Sequence, residues 1–237
     1  MRKGDRMRLA PRRRRGRGDS GVTAVEFAIV IPVLLVLVIG MLEFAFVMRD
    51  YLSVGSATRT GVRVASTGAG AGPGTCPGLP IVCVPASVPA LAQNAADAIQ
   101  QAGSAMPQDY VDYIMVYEAN ANGYPAGTAN DTTRLTMPSQ TECASIGDCV
   151  TFRWAKSIDR YVYVSGTWDS STIYACAPQS PSDPGPDSVG VYMHATHPYL
   201  SRLFGATLTI TNRAIMQFEP LAQKVCNGNG PASGGHP

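Results

Sequence analysis

The stretch that most constrains this fold is an apolar run near the N-terminus, residues 27–48, interrupted by one charged residue, Glu43. A helix rises about 1.5 Å per residue, and about 20 apolar residues span a hydrocarbon core of roughly 30 Å. The 22 residues of this run therefore predict one transmembrane helix. Glu26 stands at the front edge of the run, where a simple anchor has no need of a carboxylate.

The helical pattern continues beyond the run. Small and apolar residues recur there at spacings of three or four, which is the period of one helix face. They are Tyr51, Val54, Thr58, Gly61, Val62 and Ala65. Arg59 and Arg63 lie four residues apart on another face. We therefore predict one long helix over about 22–67, whose second half is partly buried on a folded domain.

Basic residues are concentrated at the N-terminus. Nine of the 19 lysines and arginines lie within the first 17 residues, whereas residues 49–237 carry ten basic and 13 acidic side chains. An excess of positive charge beside a span marks its cytoplasmic side. We therefore expect a cytoplasmic tail over 1–20 and an exported C-terminal part. A nucleic-acid partner is not expected, because these arginines are not arranged on a folded face.

The span is expected to stay in the membrane rather than to act as a removable secretory signal. A secretory signal has about 7–15 apolar residues followed by a cleavage site of small residues. Here the run is longer and ends in Glu43, Phe44 and Phe46. We therefore expect a single-pass membrane protein, with the lipid bilayer as one partner.

Six cysteines support this topology, because all of them follow the span. They are Cys76, Cys83, Cys143, Cys149, Cys176 and Cys226. An even number confined to the exported part predicts disulfides in an oxidising compartment. Spacing does not fix the connectivity, and our working assignment joins the neighbours in sequence: Cys76 to Cys83, Cys143 to Cys149, and Cys176 to Cys226.

Composition and periodicity divide the chain into five segments. They are a basic tail (1–20), the long helix (21–67), a Gly- and Pro-rich flexible linker (68–90), an exported domain (91–226) and a disordered tail (227–237). Within the domain, residues 90–103 have a helical pattern and residues 119–149 are polar and turn-rich. Alternating or β-branched stretches predict strands at 110–117, 150–154, 160–164, 188–195, 206–211 and 214–218, the last two separated by a turn or bulge. The predicted class is α+β: a long N-terminal helix, a small helix and a disulfide-bonded antiparallel sheet.

No motif for catalysis, a metal or a cofactor stands out. His194 and His197 lie three apart on a predicted strand, so their side chains should point to opposite faces. The glycine-rich stretch after residue 67 lacks the preceding strand that a dinucleotide-binding loop requires. We therefore expect a protein that is not an enzyme and needs no cofactor or metal.

The front of the span resembles a known processing site. Residues 21–27, GVTAVEF, have the pattern of glycine, four residues, glutamate and an aromatic residue at the head of a membrane helix. This pattern resembles Flp-type prepilins and the related TadE-like pseudopilins. Three further stretches are similar to the TadE-like family: LEF at 42–44, TRTGVRVA at 58–65 and NRAIMQFEP at 212–220. They place Glu43, Arg59, Gly61 and Arg63 at family-like positions.

The resemblance implies a pilin-like fold, a location in the bacterial cytoplasmic membrane and a role in building the tight-adherence (Flp) pilus. A prepilin peptidase would cut between Gly21 and Val22, and other pilus or secretion-system subunits would be partners. Glu26 would become the fifth residue of the mature chain and would pair with the terminal amine of a neighbouring subunit. The large exported domain distinguishes this chain from the very short major pilins, so a minor pseudopilin or an assembly factor fits better.

Two alternatives remain open from the residues alone. Thr23 and Glu26 fit a capping box, so Glu26 has a purely structural explanation at a helix start. The chain as a whole also fits a membrane-tethered extracellular module that binds cell-wall or surface ligands.

Overall fold

The computed structural model describes residues 19–75, 84–102, 106–178, 181, 185–202, 204–222 and 226. Its first element is one helix of 48 residues, α1 (Asp19–Ser66). The chain divides into two units, Met1–Phe44 and Ala45–Pro237, so α1 contributes to both. The predicted long helix is confirmed, and it extends without interruption around Pro32.

The described part of the first unit is the apolar half of α1. Its large apolar side chains are exposed, including those of Phe27, Leu34 and Leu37. Among the described residues, α1 alone is long and apolar enough to cross a membrane. The helix starts before Thr23, so the capping box predicted at Thr23 and Glu26 is wrong, because both residues lie inside the helix.

The second unit is built on a five-stranded sheet in which every neighbouring pair is antiparallel. Its further helices are α2 (Ala90–Gln101) and α3 (Gln140–Ile146). Its strands are β1 (Val111–Ala119), β2 (Cys149–Ala155), β3 (Arg160–Thr167), β4 (Ser188–Pro198) and β5 (Thr207–Gln217). The strand order is β3-β2-β1-β4-β5. The predicted α+β class with an antiparallel sheet is confirmed.

The second half of α1 and helix α2 belong to the main apolar core, together with Ile114 and Val116 of β1. Glycine at position 61 allows the two helices to approach closely. A Cβ there would lie 2.7 Å from the Ile99 side chain and 3.3 Å from the Ala95 carbonyl oxygen. The predicted stripe is buried at Val54, Thr58, Gly61, Val62 and Ala65, but the prediction for Tyr51 is wrong, because its side chain is exposed.

A second, smaller core lies on the other side of β1. Met115 and Tyr117 are buried there with Cys143 and Cys149. β1 is therefore covered on both faces, as its central place in the sheet requires, and the prediction of a half-buried strand is wrong.

Helix α3, which supplies Cys143, was missed in the turn-rich stretch 119–149. Its start has a capping motif, Ser139 followed three residues later by Glu142. The backbone N–H of Glu142 donates to Ser139 Oγ at 3.2 Å, as in the first half of a capping box. The short polar helix has too little apolar periodicity to be recognised by pattern alone.

The described ends of the predicted linker form ordered structure. Residues Ala69–Ala71 form a 3-10 turn. The N–H of Gly74 donates to the carbonyl of Val88 at 2.7 Å, and Val84 and Val88 are buried. For these residues the prediction of a flexible linker is wrong, because their backbone groups and apolar side chains are used in the fold.

The C-terminal part of the sheet differs from prediction in one respect. β5 runs from Thr207 to Gln217 without a turn or bulge, pairing with β4 in continuous register. Asn212 and Arg213, predicted to form the break, pair with Met193 and Tyr192. Polar side chains at these positions are compatible with an edge strand, since such a strand is partly exposed to water.

Two disulfides join described residues, Cys143–Cys149 and Cys176–Cys226, and both pairings agree with the prediction. The first ties α3 to the start of β2. The second joins the segment before β4 to residue 226, beyond β5. The third predicted pair, Cys76 with Cys83, lies outside the described residues.

Carboxylates gather around the C-terminal end of β1. Burial, together with the negative charges of Asp187 and Asp148, raises the pKa of Glu118 to about 8. Burial also raises the pKa of Asp148 to about 6, with contributions from Asp169 and Asp187. The folded protein therefore holds protons on these groups that the unfolded chain releases at lower pH.

Stability should consequently fall as the pH rises from about 4.5 to about 8, because the folded state binds more protons than the unfolded state in this window. Glu118→Gln should remove most of this fall. At pH 8 the variant should exceed the wild type in free energy of unfolding by on the order of 1–3 kcal/mol. The measurement is denaturant unfolding of the detergent-solubilised chain, followed by tryptophan fluorescence at several pH values.

The matched control is Glu142→Gln, which removes an exposed acid of α3. It should retain the wild-type pH dependence. A wild-type stability that does not change between pH 5 and 8 would contradict the raised pKa of Glu118.

Candidate functional site: the apolar helix and its junction with the sheet

The predicted processing residues lie together at the start of α1. Gly21, Val22 and Glu26 all have exposed side-chain positions. A Cβ built at Gly21 would meet no atom of the described residues within 4 Å. Packing therefore does not explain the glycine, in contrast to Gly61 farther along the same helix.

Glu26 and Glu43 bracket the most apolar part of α1. They are 17 positions apart, which corresponds to about 26 Å at helical rise and is close to the thickness of a hydrocarbon core. Their backbone positions can therefore lie at opposite interfaces of one bilayer, although the Glu26 side chain is exposed and the Glu43 side chain is buried. Neither needs to lie at its centre, where an ionised group costs several kcal/mol.

The other family-like positions divide into two kinds. Gly61 is buried against α2, which gives it a structural role. Arg59 and Arg63 are exposed on the opposite side of the helix. These two arginines belong to the second unit, whereas Glu26 belongs to the first.

The junction between α1 and the sheet contains a site that the sequence analysis missed. The Asp50 carboxylate is 1% exposed. It accepts hydrogen bonds from Arg49 Nε and Nη2 at 3.0 and 2.9 Å, and its second oxygen lies 2.7 Å from His197 Nδ1. Asp50 thus attaches the end of β4 to α1. A buried carboxylate is tolerated only with such partners.

The signal for Asp50 was present in the helical spacing. Extending the buried stripe back from Val54 by four residues gives Asp50, whereas extending it by three gives Tyr51. The period of the helix allows either residue to lie on the buried face. We predicted that Tyr51 would be buried, because a residue with a large apolar part suits a buried face. In the structure Asp50 is buried instead, because His197 supplies a hydrogen-bond partner for its carboxylate.

The two histidines do point to different partners, as their spacing predicted. His194 Nδ1 lies 2.8 Å from Asp112 Oδ2, which also accepts a hydrogen bond from the Thr196 hydroxyl at 2.7 Å. The His194 ring stacks on Tyr113, with 4.9 Å between ring centroids. The two imidazoles are therefore each held by a different aspartate.

A cavity of about 280 Å³ adjoins the Asp50 cluster. It is lined by Phe46 and Arg49 of α1, by Tyr110, and by residues 197–200 at the end of β4. His197 Nε2 is buried and has no hydrogen-bond partner among the described residues. The cavity lies beside the last apolar residues of the run, Phe46 to Met48 in the sequence.

The helix that carries these features is similar in sequence to a known protein family. A protein-family model described as TadE-like protein matches residues 21–63. This segment is TadE-like. The match includes Gly21, Glu26, Glu43 and Arg59 to Arg63, and it does not extend to residues 212–220, where we also saw a resemblance. No curated protein and no solved structure matches the chain.

The TadE-like segment and the apolar helix both fit a protein that is anchored in a membrane. An apolar helix near the N-terminus, long enough to span a bilayer, fits single-pass membrane anchoring. A TadE-like segment on that helix fits a pilus-associated membrane protein, and lipid and pilus subunits are the associations that this family suggests.

Removing the Asp50 carboxylate should weaken the junction strongly. Asp50→Ala leaves Arg49 and His197 without their shared acceptor. We expect a loss of about 3–5 kcal/mol in the free energy of unfolding, which is typical when one member of a buried charged cluster is deleted. Thermal unfolding of the purified chain in detergent measures this loss.

Asp109→Ala serves as the control, because Asp109 pairs with Lys156 at the surface of the same domain. Exposed ion pairs contribute little, so this variant should unfold close to the wild-type temperature. Equal unfolding temperatures for the two variants would show that Asp50 does not stabilise the junction.

Proposed function

We propose that this chain is a TadE-like minor pseudopilin or assembly factor of the tight-adherence (Flp) pilus, with a structural rather than a catalytic role. The observation that carries the proposal is the TadE-like match over a helix that begins with Gly21, Glu26 and Phe27 and continues into a folded domain. An anchor requires only the apolar residues. The glycine and the glutamate at its head are the features that processing and assembly would use.

The proposed topology places residues 1–20 in the cytoplasm and the sheet domain outside the cytoplasmic membrane. The nine basic residues of the tail support this orientation through the positive-inside rule. The disulfides Cys143–Cys149 and Cys176–Cys226 support an oxidising environment for the domain.

Processing would occur at the bond between Gly21 and Val22, by a prepilin peptidase. The exposed position of Gly21 is suited to recognition, since none of the described residues covers it. Glycine also lowers local helix stability by about 1 kcal/mol relative to alanine, which eases opening of the helix at the bond to be cut. The basic tail would leave, and Val22 would carry a new terminal amine.

Glu26 would then align subunits. A carboxylate at the head of a lipid-embedded helix is costly without a partner, and the ammonium group of a neighbouring Val22 would offset that cost. Because Glu26 is exposed on α1, it is accessible to a second subunit. The domain beyond Ala45 would remain outside the bilayer and contact other pilus components.

The polar groups of the domain support a structural role. His194 and His197 are each bound to an aspartate within the fold, and Ser139 is used as a helix cap. These side chains stabilise elements of the sheet domain. No arrangement of a nucleophile with a base is evident among the described residues, so a non-catalytic function is the simpler proposal.

Processing can be tested by intact mass of the membrane-extracted protein. When co-expressed with a prepilin peptidase, the chain should begin at Val22. Gly21→Val should keep the full-length mass, because a branched side chain would occupy the position before the cut. Gly40→Val, within the span, should be processed like the wild type. A wild-type chain that still begins at Met1 in the presence of the peptidase would refute the processed form.

Assembly can be tested separately from processing. Glu26→Ala should be cut normally but should reduce piliation by at least about tenfold, since loss of a charged contact in lipid is worth a kcal/mol or more. Val25→Ala, a change at the neighbouring exposed residue, should leave piliation unchanged. Fibres are counted by electron microscopy of shed pili. Normal piliation of the Glu26 variant would exclude subunit alignment by this carboxylate.

A further inference from the structure

We propose that the loop between β4 and β5 contacts the lipid bilayer, as a second membrane-facing element of the chain. The described residues of this loop, 199–202 and 204–206, are called the β4–β5 tip below. The inference rests on the single-pass membrane placement in the proposed function.

The tip exposes large apolar side chains that the fold does not need. Leu200 is 77% exposed and Phe204 is 58% exposed. Arg202, between them, is exposed as well. Apolar and aromatic side chains with a neighbouring arginine are typical of protein surfaces at the membrane interface.

The tip has defined structure. The backbone N–H of Tyr199 donates to the carbonyl of Ala206 at 3.1 Å. The Tyr199 ring lies 6.4 Å from the ring of Phe204 and 5.8 Å from that of His197. The exposed apolar groups are thus presented by an ordered turn.

The position of the tip along α1 indicates that the bilayer is what it contacts. Asp50 binds His197, the residue two before Tyr199, and Phe46 and Leu200 line the same cavity. The apolar run ends at Met48. The tip therefore lies beside the last residues of this run, in the interfacial layer that the helix crosses after Glu43.

Exposed apolar side chains on α1 extend this surface. Tyr51 and Leu52, just past the junction, are also exposed. Arg49 is half exposed beside them, over the ring of Phe46. The surface combines apolar and aromatic groups with cations, as is typical of residues at the interface between hydrocarbon and water.

Depth-dependent fluorescence quenching tests this proposal on the full chain. The chain is reconstituted into vesicles of phosphatidylethanolamine and phosphatidylglycerol that contain a lipid brominated near the headgroup end of its acyl chains. Tryptophan is introduced by Phe204→Trp and, in a second protein, by Leu200→Trp. Leu135→Trp is the matched control: Leu135 is 63% exposed but lies beside Thr211 to Arg213 in the middle of β5.

The wild type, with its two tryptophans, supplies the background to be subtracted. The added fluorescence of the Phe204→Trp and Leu200→Trp proteins should fall about twofold or more on brominated vesicles, as for aromatic residues at the interface. The added fluorescence of the Leu135→Trp protein should not change.

Flotation of the same samples distinguishes failure of this inference from failure of the membrane placement. If the chain floats with the vesicles but the tip variants are quenched no more than the Leu135→Trp control, the tip does not contact lipid and this inference is overturned alone. If concentration-dependent crosslinks then form through the tip, a second copy is its occupant instead. A chain that does not float would overturn the membrane placement, and with it both the inference and the proposed function.

Discussion

The contact between Asp50 and His197 determines how the sheet is attached to the long helix. The carboxylate is buried, and a buried charge is stable only when its hydrogen-bonding capacity is used. Arg49 and His197 use it from two sides, one from the helix itself and one from the end of β4. Because only His197 comes from the sheet, its contact with Asp50 is the part of the cluster that fixes the register between helix and sheet.

Small residues provide the rest of the attachment. Gly55 lies against Asn212 of β5, and Gly61 lies against Ile99 of α2, so the helix backbone approaches both elements closely. The two halves of α1 therefore have different surfaces. Its first half is covered with large, exposed apolar groups, and its second half has a narrow stripe of small ones. This change occurs near residue 50, where a membrane solvent would give way to a protein partner.

Much of this fold could be predicted from the sequence, and the errors have physical reasons. The long helix, α2 and all five strand locations follow from periodicity, and two pairings of the working disulfide assignment are present. α3 was missed because a seven-residue polar helix depends on its Ser139 cap and its disulfide more than on apolar period. Asp50 was missed because its burial depends on His197, which is 147 residues away in the chain. The head of the helix, by contrast, was recognisable because Gly21, Glu26 and Phe27 are close in sequence.

The direction of α1 along the sheet has a mechanical consequence. Asp50 meets the end of β4, Gly55 meets the middle of β5, and the carbonyl of Ser66 accepts a hydrogen bond from the N–H of Glu219 just after β5. The helix therefore lies alongside β5, with contacts distributed over its whole second half. A pull applied to the helix at Ala45 would load these contacts in shear, all at once, rather than peel them apart one by one. A subunit held in a filament by its helix would resist tension through that geometry.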